Sequence, residues 1–180
     1  HSESKRKINN ENIFNINRLG LTDSLESGRS LTVGLEYKKE KLKDINKYFE
    51  FKLATVLRDK EENFIPNTST LDKKTSNIFG SLSNNFSDNF NINYDFAINN
   101  NLNTFDYNKI NSTISLNNLV TEFSFIEEGG AIGSTNTFEN KSKYIFDENN
   151  SISFKTRRNR KINLTEYYDL VYEYQNDCLT

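Results

Sequence analysis

The sequence is short of the residues that most often carry chemistry or interrupt a chain. In 180 residues there is one histidine, one cysteine, one proline, no methionine and no tryptophan. The histidine is His1, which leaves no interior imidazole for a Ser-His arrangement or a metal cluster. No catalytic, metal-binding or cofactor-binding residue is therefore assigned, and no enzymatic activity is expected. Glu127-Glu128 reads as a solvated loop pair with no partner of suitable geometry. Cys178, taken alone, is more often a small buried hydrophobe than a functional thiol. No apolar run approaches the length of a transmembrane helix, and no signal peptide is visible. An excess of one charge is missing too: 23 Lys and Arg against 25 Asp and Glu leave a net charge of -2, so composition makes no case for nucleic acid.

Hydrophobic residues make up only 34% of the chain and the mean hydropathy is -0.76, values that point to disorder or to a very polar fold. The aromatic content argues against disorder, with 14 Phe and 9 Tyr. Apolar residues that are few, large and regularly spaced suit a sheet wetted on one face. The wealth of Asn, Lys, Ile and Phe fits AT-rich coding. Six Asn-x-Ser/Thr triplets, beginning at Asn67, Asn85, Asn111, Asn140, Asn149 and Asn163, are chance in so Asn-rich a chain.

Residues 1–11 are polar and aperiodic and read as a frayed start. After an irregular stretch over 12–29 the pattern changes abruptly. Leu31, Val33, Leu35 and Tyr37 alternate with Thr32, Gly34, Glu36 and Lys38, the period of two that marks a strand with one apolar and one wet face. Further strands are expected over 47–58, 75–86, 90–99, 105–116, 119–126, 139–146, 150–157 and 164–175. The clearest is 90–99, where Phe90, Ile92, Tyr94, Phe96 and Ile98 oppose Asn91, Asn93, Asp95 and Asn99. In the second strand Ala54 and Val56 share a face with Glu50, Lys52 and Arg58, so that face is not purely polar. Pro66 and its polar neighbours make 59–74 a long loop, and Asn117-Asn118 is a turn of residues that tolerate positive φ. Arg157, Arg158, Arg160 and Lys161 form a basic loop.

The connections alternate in length. Those at 41–46, 87–89, 117–118, 147–150 and 176–177 are short, whereas 59–74, 100–104, 128–138 and 158–163 are longer on the whole. In an antiparallel meander alternate connections share one end, so one end is trimmed and the other elaborated. Outer-membrane barrels have this asymmetry, with short periplasmic turns and longer extracellular loops. Most strands also reach the roughly 9–11 residues needed to cross hydrocarbon at a tilt. The expected fold class is all-β, an antiparallel up-and-down meander forming part of a large transmembrane β-barrel. Residues 1–29 form a polar segment and extracellular-side loop, and 30–180 supply about nine strands and a stub. A sheet in lipid must close, and an odd count leaves a parallel seam, so further strands are expected beyond this chain, whose ends both read as cut. The fragment is not expected to fold alone.

Two stretches add a resemblance. Asn17-Arg18-Leu19, Gly20, Asp23, Glu26, Ser27, Gly28 and Arg29, running into Gly34-Leu35, are similar to a segment of the LptD family, the outer-membrane lipopolysaccharide assembly proteins also called organic solvent tolerance proteins. Tyr172-Glu173-Tyr174-Gln175-Asn176-Asp177-Cys178-Leu179-Thr180 resembles the alphaproteobacterial form of that family near its C-terminus. Two departures stand out. Ser24 occupies the place where the family usually has Arg after the Asp, and Gly20 comes one position early. The resemblance implies a bacterial outer-membrane translocon that inserts lipopolysaccharide into the outer leaflet and breaks no bond. It also implies a plugging lipoprotein partner (LptE-like) and a periplasmic lipopolysaccharide bridge (LptA-like), reached through an N-terminal domain absent from this chain.

The resemblance bears on individual residues as well. It implies that Cys178, beside a short and hence periplasmic turn, forms a disulfide with the N-terminal periplasmic region; the periplasm is oxidising. Arg157, Arg158, Arg160 and Lys161 are either a solvated loop or contacts for lipopolysaccharide phosphates at the outer surface. Residues 17–29 are either an ordinary loop or an ordered one folded over the lumen and held by Arg18, Asp23 and Glu26. The rival functions are a general porin or uptake barrel, with the same strand pattern, and a soluble β-rich adhesin or binding module.

Overall fold

A strand can alternate apolar and polar side chains, but its backbone N–H and C=O groups need partners at its sides. In the computed structural model, which describes residues 7–20 and 26–175, that need is met by a single sheet. β1 (Ser30–Lys41), β2 (Asp44–Arg58), β3 (Ile78–Ser87), β4 (Phe90–Ile98), β5 (Phe105–Leu116), β6 (Leu119–Glu128), β7 (Asn136–Ile145), β8 (Asn150–Asn159) and β9 (Leu164–Tyr174) lie side by side in chain order. Each pairs antiparallel with the next. The chain is thus all-β, an up-and-down meander of nine strands with β1 and β9 at its edges. No helix among the described residues is long and apolar enough to cross a membrane, which says nothing about strands.

Several strand ends differ from expectation for one reason. Backbone pairing is indifferent to side-chain polarity, so polar residues next to a strand are drawn into the ladder when a neighbour faces them. β2 begins at Asp44, which pairs with Lys41 across the turn at 42–43. β6 and β7 meet at Glu127 and Asn136, which shortens the glycine-bearing loop to 129–135. β8 runs on to Asn159, placing Arg157 and Arg158 inside a strand. At β3 the correction runs the other way. Thr75 makes one isolated bridge to Leu57. Ser76 keeps its N–H on the Val56 carbonyl (2.9 Å), but its buried hydroxyl replaces the rest of the ladder, accepting from the Val56 N–H (2.9 Å) and donating to the Asn77 carbonyl (2.8 Å).

The turns at 42–43, 88–89, 117–118 and 146–149 lie at one end of the sheet. Connections 59–77, 99–104, 129–135 and 160–163 lie at the other. The asymmetry is strong for the first three pairs and vanishes in the last, where the two connections are equally long. Asn117, with φ +50°, supplies the left-handed residue of its turn.

The buried core does not lie on the apolar face. Residues 7–20 and the loop 59–77 fold onto the polar face near the long-loop end. There Ile8, Ile13, Leu19, Ile65 and Leu71 pack with Ala54, Val56, Phe79 and Ala97. Residues 7–11, read from sequence as part of a frayed start, contribute Ile8 to this core. On the opposite face Leu35 is 61% exposed and Leu170 67%, against 0% for Ile13. Small side chains make room for the overlying segment: Phe14 rests on Gly34, where an added Cβ would come within 2.5 Å of the ring.

The exposed face is apolar along β1, β4 and β9 and interrupted on β5–β8. Most of its polar groups there are satisfied among themselves or by backbone, with Asn136 Oδ1 an exception. Asn140 donates to Thr121 (3.0 Å), Thr121 meets Ser142 (2.7 Å), and the Tyr94 hydroxyl donates to Asn108 (2.7 Å). Ser112 and Thr156 donate to the carbonyls of Asn91 (3.1 Å) and Tyr167 (3.2 Å). Pairing of this kind removes most of the penalty of placing a hydroxyl or amide in apolar surroundings.

Gly34→Val is expected to push Phe14 off β1 and to destabilise the folded chain by about 1–3 kcal/mol, the usual range for overpacking. Urea unfolding of the full-length protein in detergent micelles checks this; an unchanged midpoint would show that Phe14 does not bear on β1.

Candidate functional site

Residues 7–20 cross the polar face as a strap from β1 to β6. Their local shape comes from asparagines that satisfy nearby backbone. The Asn9 N–H donates to the Asn12 side chain (3.0 Å), and the Asn12 amide donates to the Lys7 carbonyl (2.8 Å). At the β6 end the Lys7 ammonium pairs with Glu128, whose side chain is 6% exposed. The expected solvated pair Glu127-Glu128 is thereby corrected. β6 extends through both residues, and alternation sends Glu128 inward to Lys7 while Glu127 accepts from the Asn136 amide (2.9 Å).

At the β1 end the strap is held by charge. The Arg18 guanidinium donates to Glu26 through Nε (2.6 Å) and Nη2 (2.5 Å), to Thr32 (2.7 Å) and Ser30 (2.9 Å) of β1, and to the Ile13 carbonyl (3.2 Å). Glu26 also pairs with Arg58, at the end of β2, so one carboxylate serves two cations. Arg58 in turn donates to the Ser27 carbonyl (2.9 Å). Its side chain is 1% exposed, Arg18 6% and Glu26 10%. Desolvation pushes the Arg18 guanidinium below its ordinary pKa. Arg58 lies in the repulsive field of Arg18 as well as the attractive fields of Glu62, Asp59 and Asp72.

The motif residues therefore separate by role. Arg18, Leu19 and Glu26 meet in the buried region, with Leu19 in the apolar core. Gly20 (φ +64°) and Gly28 (φ +80°) occupy backbone regions that favour glycine. At Gly28 a Cβ would also meet Glu62. Arg29 is an outlier, 92% exposed with a 3.5 Å contact to Asp59. Asn17 forms the turn in which the Gly20 N–H reaches its carbonyl (3.1 Å). Asp23 lies outside the described residues, as does Cys178. Arg58 was not among the residues singled out by sequence. Its signal was its place on the same face as Ala54 and Val56, small apolar residues where polar ones were expected.

The four basic residues do not form one cluster. Arg157 points to the polar face and pairs with Glu166 (2.9 Å). Arg158, one position on in β8, lies on the opposite face and donates to Asn163. Arg160 follows the strand with its guanidinium 5.4 Å from the centre of the outward Phe125 ring. Lys161 is exposed in the loop. The remaining polar face carries both signs across neighbouring strands, as in Glu122–Lys141 (3.4 Å) and Lys143–Glu173 (2.8 Å).

What the arrangement does chemically is to hold a segment over the polar face of the sheet. Glu26→Ala leaves Arg18 and Arg58 buried without their shared carboxylate, and a loss of about 3–5 kcal/mol is expected. Arg29→Ala, which removes an exposed contact, is expected to change stability by less than about 1 kcal/mol. Chemical denaturation of both variants, with hydrogen exchange over residues 7–20, checks the contrast; equal small effects would show that the ion cluster does not hold the strap.

No protein-family model matches the chain, and no curated protein matches it either.

Proposed function

We propose that this chain is part of the wall of a bacterial outer-membrane β-barrel that inserts lipopolysaccharide into the outer leaflet. The observation that carries the membrane part of the reading is the inverted placement of apolar side chains. The large ones on the alternating face stay exposed or half-exposed, while the packed core sits on the polar side under the strap. A β-sandwich or soluble binding module would bury that alternating face against a second layer. Strands of nine residues or more meet the length a tilted strand needs to span hydrocarbon.

Lipopolysaccharide as the cargo is supported by the resemblance of residues 17–29 and 172–180 to the assembly family and by the mixed-charge polar face, which suits a hydrated sugar headgroup. The strap then acts as an interior element that narrows the lumen beside β1. The lipoprotein plug and the periplasmic lipopolysaccharide bridge are the partners this reading requires. On the same resemblance Cys178, which follows β9 in the sequence, is assigned a disulfide to the periplasmic domain of the full protein.

Depletion of the full-length protein in its host is expected to lower surface lipopolysaccharide several-fold and to sensitise cells to large hydrophobic antibiotics. Surface lipopolysaccharide is read by protease-protected labelling, sensitivity by growth. Depletion that alters only the uptake of small solutes would favour a porin, and recovery of the protein in the soluble fraction would overturn the membrane reading altogether.

A further inference from the structure

The split of the basic residues leaves two guanidiniums on the outward face at the long-loop end, beside aromatic rings. We propose that Arg158 and Arg160 cradle the phosphate of a phosphorylated lipid headgroup whose acyl chains lie against the outward aromatic face. The inference rests on that face meeting acyl chains and is independent of whether the barrel exports lipopolysaccharide.

Alternation fixes the direction of Arg158, and a backbone hydrogen bond just past the strand end places Arg160. Arg158 is opposite Phe138 of β7 in register, and Phe138 is opposite the outward Phe125 of β6. The backbone N–H of Arg160 is tied to the Asn136 carbonyl (2.8 Å), which brings its guanidinium over Phe125. Stacked on a ring, a guanidinium keeps its in-plane N–H groups free for an anion. Asn163, held at φ +53°, accepts from Arg158 and so sets the other guanidinium.

Arg158, Arg160, Phe138 and Asn163 line an open hollow of about 470 Å³, large enough for a phosphate with its attached glycerol or sugar. Among the described residues neither guanidinium pairs with a carboxylate, whereas Arg157 on the other face does. Glu127, an outward carboxylate of β6, is engaged by Asn136. Two guanidiniums against this one carboxylate leave the charge here net positive, directly above apolar surface. Phe123 lies 6.1 Å from Phe138, and Phe154 lies 6.4 Å from Tyr168, continuing the outward aromatic surface along β6–β9. Arginine and phosphate match as bidentate partners. A free phosphate would gain nothing from the rings, which is why a lipid is the assigned occupant.

The test uses the full-length protein in detergent micelles and native mass spectrometry, with dioleoyl phosphatidic acid and dioleoyl phosphatidylcholine as competing probes. Wild type is expected to retain phosphatidic acid preferentially, and R158S/R160S to lose that preference by about tenfold or more. R157S, on the polar face, is expected to keep it. Heat-modifiability on gels reports folding, and if the double variant does not fold, R158S and R160S are each read for a partial loss. Equal preference in wild type and the outward variants, or the same loss in R157S, would overturn the site while leaving the barrel reading intact. Inorganic phosphate that abolishes the preference at millimolar concentration would replace the lipid with a simple anion. Protein recovered without membranes would overturn both readings.

Discussion

Among the described residues, every extensive contact between strands of this sheet is between neighbours in sequence. That single constraint governs the rest of the structure. A meander one layer deep has two faces, and only one of them has protein to cover it. The strap and the 59–77 loop supply enough apolar side chains to bury Ala54, Val56, Phe79 and Ala97, but only near the long-loop end and only on the polar side. The outward rows of Leu, Phe and Tyr are therefore committed to whatever surrounds the sheet. Most hydroxyls and amides on β5–β8 that interrupt those rows are hydrogen-bonded within the protein, so they remain compatible with an apolar surround.

The strap turns a polar sheet face into an ordered interior. Its apolar residues contribute burial, and its charges decide where it lies. A buried ion cluster is a poor source of net stability, because desolvation of the three groups offsets most of their attraction. Its effect is on register: the fork of Arg18 fits Glu26, Ser30 and Thr32 together, and a strap shifted by one residue would leave Glu26 and Arg58 without it. Lys7 and Glu128 then fix the far end on β6. The segment is anchored at both ends, and its middle is pressed onto Gly34 by Phe14.

Much of the fold was legible because a period of two survives any composition. Phe90 to Ile98 needed no more than counting, and the nine strands came out in the expected order. Strand ends were less legible, since the ladder accepts Asp44, Glu127 and Asn159 as readily as apolar residues. The basic residues show the cost of such an error. Placing Arg157 and Arg158 in a loop hid the fact that alternation would part them. The strap was harder still, because Ile8, Ile13 and Leu19 show no period and become a core only against Ala54 and Val56 from a distant strand. Arg18 and Glu26 were visible through their motif; Arg58 needed the third dimension.

The measurement that bears most directly on the account is cysteine scanning along β4, in the full-length protein in native outer membranes and in a background lacking Cys178. Single cysteines at Ile92, Tyr94 and Phe96 should resist a water-soluble maleimide and be quenched by brominated lipid when labelled with a fluorophore. Cysteines at Asn91, Asn93 and Asp95 should react with the maleimide and escape quenching. Uniform reactivity along the strand, or the reverse alternation, would contradict the claim that one face meets acyl chains and the other encloses water.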